Sequence, residues 1–203
     1  MCTLRPPRPQ VAAPEMGLSQ VDTVDDVSPT GTFLSDVSTL RARAREEIGK
    51  GPVTAAYGAD LDRVLDVLGQ CLATEIVCVL RYRQHHFAAS GLQSGAVAAE
   101  FLQHALEEQE HADLIAARIT QLGGTPDFDP QTLTARAHSQ YTTAKELQEM
   151  IKENLIAERI AIASYTEIIT WLGNGDPTTR RVIEQILATE EEHAEDMLSL
   201  LED

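Results

Sequence analysis

The sequence predicts an all-α fold, a four-helix bundle with a long crossover between its second and third helices. Three observations predict it. Four long segments place apolar residues at three- and four-residue steps, the joints within each pair of segments are short, and some twenty residues separate the pairs. Segments of this length give helices of roughly 40 Å, which suits a bundle better than a packing of short helices.

The elements follow in chain order. Residues 1–37 are rich in Pro, Ser and Thr and carry no period, so they read as a flexible tail in which Arg5 and Arg8 make a weak basic mark. Residues 38–58 hold a short charged helix, Ser38 to Lys50, stopped by Gly51 and Pro52. Residues 59–203 form the bundle. Its first helix, about Asp60 to Ser90, has the buried stripe Leu61, Val64, Leu68, Leu72, Glu75, Val79, Tyr82. The second, about Gly95 to Leu122, gives Val97, Phe101, Ala105, Glu108, His111, Ile115, Ile119 and ends at Gly123 and Gly124. A third, about Ala144 to Leu172, gives Leu147, Ile151, Leu155, Glu158, Ile162, Tyr165, Ile168 and stops at Gly173. The fourth, about Pro177 to Leu201, gives Ile183, Ile186, Glu190, His193, Met197, Leu200.

The polar residues in these stripes are of the same few types each time. Glu75 precedes Glu108 by 33 residues and Glu158 precedes Glu190 by 32, and Tyr82 and Tyr165 each follow the lone Glu of their hairpin by seven. One hairpin is used twice. Glu-x-x-His recurs as Glu108/His111 and Glu190/His193, and residues i and i+3 share a helix face, so each pair aims a carboxylate and an imidazole at one point.

A carboxylate in an apolar stripe is costly unless something pairs with it. Four at one level would repel one another, and two divalent cations resolve the conflict: four negative charges balance two ions, while two neutral histidines add nitrogen ligands. Such a donor set suits iron or manganese. Taken singly, a Glu-x-x-His is better explained by a solvated acidic face than by a ligand pair, and Glu107, Glu110, Glu191 and Glu192 are expected to be of that kind.

Composition narrows the function classes. A net charge of −16 opposes binding to nucleic acid, so direct DNA binding is not expected beyond a small contribution from the tails. No apolar run is long enough for a membrane span and no secretory signal precedes the first helix, which points to the cytoplasm. Cys2, Cys71 and Cys78 have no CxxC spacing, so reduced thiols are expected and a rubredoxin-type centre is not.

The stretches "ATEIVCVLRY" (73–82), "EFLQHALEEQEHADLIAARITQLGGTPDF" (100–128), "IKENLIAERIAIASYTEII" (151–169) and "DPTTRRVIEQILATEEEHAEDMLSLLE" (176–202) resemble the bacterioferritins and their smaller relatives, the DNA-protecting miniferritins (Dps). Their ferritin-like bundle takes a Glu from each of two helices and Glu-x-x-His from each of the other two. The resemblance implies two iron ions per subunit, with Glu75 and His111 on one, Glu158 and His193 on the other, Glu108 and Glu190 bridging, and Tyr82 close by. It implies a ferroxidase that oxidises Fe(II) with O2 or H2O2 and stores Fe(III) mineral in a hollow homo-oligomeric shell, with roles in iron homeostasis and oxidative stress. The alternative is a di-iron or di-manganese peroxidase, catalase or oxygenase without storage.

Two departures qualify the resemblance. Gln109 stands where the haem-ligating Met of bacterioferritins falls, so haem bound in that manner is not expected. The 24-subunit cages carry a fifth helix that has no counterpart before Asp203, which favours a dodecamer, although typical Dps proteins build their site between subunits from other ligands. Among the remaining residues, Tyr82 is expected either to hydrogen-bond a ligand or give an electron, or equally to pack in the core with its hydroxyl satisfied, and Tyr165 is the same case with the functional role less favoured. His104, His85, His86 and His138 are expected to be at least partly solvated, and Cys78 to be a small core residue.

Overall fold

The computed structural model describes residues 36–91 and 94–202, and among them all regular structure is helical. Almost all of the expected tail, with Cys2, Arg5 and Arg8, lies outside the described residues. Helix α1 (Val37–Glu46) begins where Asp36 accepts a bond from the Thr39 N–H at 3.2 Å, and it buries no side chain. A 3-10 turn (Ile48–Lys50) follows it.

Four long helices make the bundle: α2 (Leu61–Ala88), α3 (Ser94–Gln121), α5 (Leu147–Leu172) and α6 (Pro177–Glu202). Their 28, 28, 26 and 26 residues span about 40 Å each at 1.5 Å per residue. Local chemistry sets the ends. Asp60 caps α2 and Asp176 caps α6 ahead of Pro177, whose missing N–H costs nothing in the first turn. Gly123 (φ 88°) and Gly173 (φ 49°) adopt left-handed backbone just past α3 and α5.

Helices α2 and α3 form one hairpin, α5 and α6 the other, and the hairpins meet through α3 against α6 and α2 against α5. The crossover between them holds a single helical turn, α4 (Leu133–Arg136), laid against α2. Leu133 is buried beside Ala73 and Val77, Arg136 Nη1 donates to the Gly69 carbonyl at 3.0 Å, and the His138 N–H donates to Thr74 Oγ1 at 2.9 Å.

The core is split along the helix axes. One apolar cluster includes Leu68, Leu72, Ile115, Ile183 and Ile186; the other includes Phe101, Met150, Ile151 and Met197. On α3, Ala112 belongs to the first and Ala105 to the second, and Glu108 and His111 lie between them. Two greasy slabs thus enclose a polar layer.

One stripe differs from expectation. The buried face of α5 is Met150, Ile151, Asn154, Ala157, Glu158, Ala161 and Tyr165, whereas Leu147, Leu155, Ile162 and Ile168 are only half-buried. Helix α5 carries more apolar residues than one face can hold, so periodicity alone could not choose, and the small Ala157 and Ala161 took the close-packed side.

At the far end of the bundle, the chain before α2 presses on the turn between α5 and α6. The Gly58 N–H donates to the Gly175 carbonyl at 3.1 Å, and a Cβ on Gly175 would stand 3.2 Å from the carbonyl carbon of Gly58 and 3.2 Å from the Ala59 nitrogen. Backbone cannot yield as a side-chain tip can. Gly175→Ala should cost about 1–3 kcal/mol of stability, read as a lower denaturation midpoint at unchanged slope.

Candidate dinuclear metal centre

The polar layer gathers Glu75 from α2, Glu108 and His111 from α3, Glu158 from α5, and Glu190 and His193 from α6. All six are buried, none more than 5% exposed. They fall into two overlapping groups: Glu75, Glu108, His111 and Glu190, and Glu108, Glu158, Glu190 and His193. Within each group one donor atom per residue lies within 4.8 Å of the others. Glu108 and Glu190 belong to both.

The shared pair has a telling geometry. Glu190 turns Oε1 to His111 Nδ1 at 3.0 Å and Oε2 to His193 Nδ1 at 3.2 Å. Glu108 does likewise, with Oε2 3.8 Å from His111 Nδ1 and Oε1 3.8 Å from His193 Nδ1. Each of these carboxylates therefore offers one oxygen to either half of the layer. Glu75 Oε2 lies 3.4 Å from His111 Nδ1.

Hydrogen bonds do not account for these atoms. Glu75 Oε2, both oxygens of Glu108, Glu158 Oε2, Glu190 Oε1 and His111 Nδ1 are buried without a hydrogen-bond partner. Orphans of this kind are rare in folded proteins and costly, by about 1–3 kcal/mol each or more when charged. Six together, all converging, mark a place built for cations.

Titration behaviour says the same. Burial and the neighbouring carboxylates push Glu75 and Glu158 well above the ordinary range. Although burial would raise it, Glu190 is held down to about 2 by the adjacent imidazoles of His111 and His193. His111, although burial opposes its charge, is pushed up to about 12 by Glu108, Glu190 and Glu75. The layer seeks positive charge, which protons on the imidazoles and the buried Arg81 guanidinium supply in part.

The family model described as a ferritin-like domain matches residues 65–203. The chain belongs to the ferritin-like family. Its fold is similar to that of a dodecameric thioferritin, the bacterioferritin-related protein from Bacteroides fragilis. That match has 34% identity, a TM-score of 0.69, and covers 72% of this chain and 88% of the other. A bacterioferritin from Desulfovibrio desulfuricans is 26% identical over 64% of this chain and 70% of its own. A DNA protection during starvation protein from Pyrococcus furiosus is 29% identical over 67% and 75%. Ferritin-like proteins bind iron, and the carboxylate-rich, imidazole-containing donor set fits that metal.

Around the six lie the residues that hold them. The Tyr82 hydroxyl donates to Glu158 Oε1 and the Tyr165 hydroxyl to Glu75 Oε1, so each lone Glu is tied by a tyrosine from the other hairpin. Gln109, exposed on α3, donates to Asp113 Oδ1 at 3.1 Å. Cys78 is buried, with its sulfur 3.4 Å from Ser139 Oγ.

Three expectations need correction. His104 is not partly solvated but 1% exposed, its Nδ1 3.1 Å from the Tyr82 oxygen and its ring stacked on His193 at 4.0 Å. Glu107 is not a free surface acid, for its Oε2 lies 2.8 Å from His193 Nε2. His85 is fully buried, its Nδ1 3.2 Å from Asn154 Oδ1, which also accepts from Arg81 Nε at 2.9 Å. These residues owe their burial to a neighbouring helix. Sequence reasoning also missed Arg81, a buried guanidinium one residue before Tyr82.

Proposed function

We propose that the protein is a cytoplasmic ferroxidase that oxidises Fe(II) at an intrasubunit dinuclear centre and stores Fe(III) in a dodecameric shell. The observation that carries this reading is the pair Glu108 and Glu190, each offering one oxygen to each histidine of a buried layer rich in orphaned carboxylate atoms. Such carboxylates bridge two substrate ions. Glu75 and His111 complete one position, Glu158 and His193 the other.

The chemistry then balances simply. Two Fe(II) each give one electron; H2O2 takes the pair and two protons to become two waters, or O2 takes them to become H2O2. The four carboxylates favour the ferric product, since each added positive charge strengthens their attraction in a poorly solvated site. Tyr82 and Tyr165 fix Glu158 and Glu75 through their hydroxyls. With its Nε2–H given to Glu107, His193 keeps its Nδ1 lone pair facing inward.

That last contact gives a prediction. Glu107→Gln, which can present an N–H to His193 Nε2 instead of an acceptor, should weaken Fe(II) binding about 10–100-fold, read by anaerobic titration.

An enzyme acting on an organic substrate would need a pocket reaching the carboxylates, and their burial speaks against one. The assembly follows the dodecameric Bacteroides fragilis relative. The deciding experiment adds excess Fe(II) in air and follows iron and protein together by size exclusion. Iron eluting with a large shell, far above about two per chain, is expected; iron stopping there on a small oligomer would refute storage and leave a di-metal enzyme.

A further inference from the structure

A buried cation lies on one side of the dinuclear layer. Arg81 on α2 is fully buried. Its Nε donates to Asn154 Oδ1 at 2.9 Å, its Nη1 to the Gln140 carbonyl at 3.3 Å and its Nη2 to Cys78 Sγ at 3.3 Å. These partners are a side-chain amide, a backbone carbonyl and a thiol that burial keeps protonated, so none of them carries a balancing negative charge. A guanidinium does not give up its proton inside a protein. A full positive charge is therefore fixed in a place closed to water.

That charge faces the Glu158 side of the layer. The guanidinium carbon of Arg81 is 5.6 Å from the centre of the Tyr82 ring, and the Tyr82 hydroxyl donates to Glu158 Oε1. Asn154, which holds Arg81 from α5, stands one turn before Glu158. Burial and the neighbouring Glu108 and Glu190 raise the Glu158 carboxyl, and the charge of Arg81 works against them. The hairpin repeat has no counterpart to this pair. Arg81 comes six residues after Glu75 and Asn154 four before Glu158; six after Glu158 stands Ser164, and four before Glu75 stands Cys71. Ser164 donates to the Ile160 carbonyl of its own helix, and Cys71 packs in the apolar cluster. At these positions the repeat supplies a cation to one side of the layer and none to the other.

We propose that Arg81 is a positioning residue that makes the two metal positions unequal, so that the Glu158/His193 position holds its ion more weakly than the Glu75/His111 position. This rests on the dinuclear reading above. The sign follows from charge. A divalent ion carries more charge than a proton it displaces from Glu158, so a guanidinium beside that carboxylate opposes the exchange, and burial leaves the repulsion weakly screened. An ion on the Glu75 side stands farther from Arg81 and feels less of it. Unequal positions suit storage, because the tighter ion stays while the looser one moves on.

The test uses Zn(II), which takes carboxylate and imidazole donors without redox chemistry, on the full-length metal-free protein. Calorimetric titration of the wild type should resolve two binding steps, and crystals given one equivalent of Zn(II) should show anomalous density at Glu75 and His111 ahead of Glu158 and His193. Arg81→Met should tighten the weaker step by about ten- to hundredfold and leave the stronger step nearly unchanged. Asn154→Asp keeps the shape of the network and sets a carboxylate against the guanidinium, so it should tighten the weaker step as well. That second variant decides the matter if Arg81→Met does not fold, and it separates charge from packing, since a merely structural Arg81 predicts no change in the gap between the steps. Equal filling of the two positions at one equivalent, or a gap unmoved in Asn154→Asp, would overturn this inference and leave the dinuclear centre standing. Zinc absent from the layer altogether would overturn the dinuclear reading itself.

Discussion

Glu108→Ala should abolish rapid Fe(II) oxidation. Glu108 is shared by both candidate positions, and both its oxygens are buried without hydrogen-bond partners, so the side chain has no other evident employment. Losing an outer-shell partner of a metal site costs about 10–100-fold; losing a carboxylate that both ions share should cost more. Stopped-flow oxidation and an anaerobic metal count should fall together. Stability should not follow. In the metal-free protein Glu108 faces both other carboxylates and the protonated His111, so Glu108→Gln, which keeps the shape and removes a charge, should shift the melting point far less than it weakens metal binding. Full-rate oxidation by the alanine variant would remove Glu108 from the centre, and a large thermal loss in the glutamine variant would make it a structural residue.

The bundle and the six-residue layer were legible for one reason. A Glu inside an apolar stripe contradicts the physics of burial, and four such contradictions at matched spacing leave little room for accident. Helix ends were readable too, from Asp60, Gly123, Gly173 and Pro177, since caps are local chemistry. What escaped depends on partners supplied by other helices. His104 stands one turn before Glu108, which placed it on the right face, yet its burial follows from Tyr82 on α2 and His193 on α6. Glu107 was one of several acids in a run, and only the packing of α6 selected it as the partner of His193. On α5 the apolar residues outnumbered the available face, so the buried set was fixed by close packing through Ala157 and Ala161 rather than by period. Arg81 and Asn154 gave no signal at all, because each is tolerable inside only by virtue of the other.

The same dependence on a distant partner makes Asp176→Ala the largest expected loss of stability. Arg118, 7% exposed near the end of α3, places Nη2 2.9 Å from Asp176 Oδ1 and 3.1 Å from Oδ2, and its Nε donates to Thr179 Oγ1 at 2.8 Å. Asp176 also caps α6 through the Thr179 N–H at 2.9 Å and accepts from the Tyr57 hydroxyl at 2.9 Å. One carboxylate therefore joins both hairpins and the chain before α2. Removing it strands a buried guanidinium and uncaps a helix, and breaking a buried pair from one side costs about 3–5 kcal/mol. The sign of its pH dependence is fixed as well. Burial would raise the Asp176 carboxyl, but the bonds from Thr179 and Tyr57 and the charge of Arg118 hold it below its ordinary value. A depressed folded value means the contribution is complete above the unfolded value of about 4 and is lost as pH falls through the folded one. The deficit of the alanine variant in denaturant melts should accordingly be full at pH 7 and shrink below about pH 4. A deficit that stayed constant into acid would show that the packing around Asp176, and not its charge, holds this end of the bundle together.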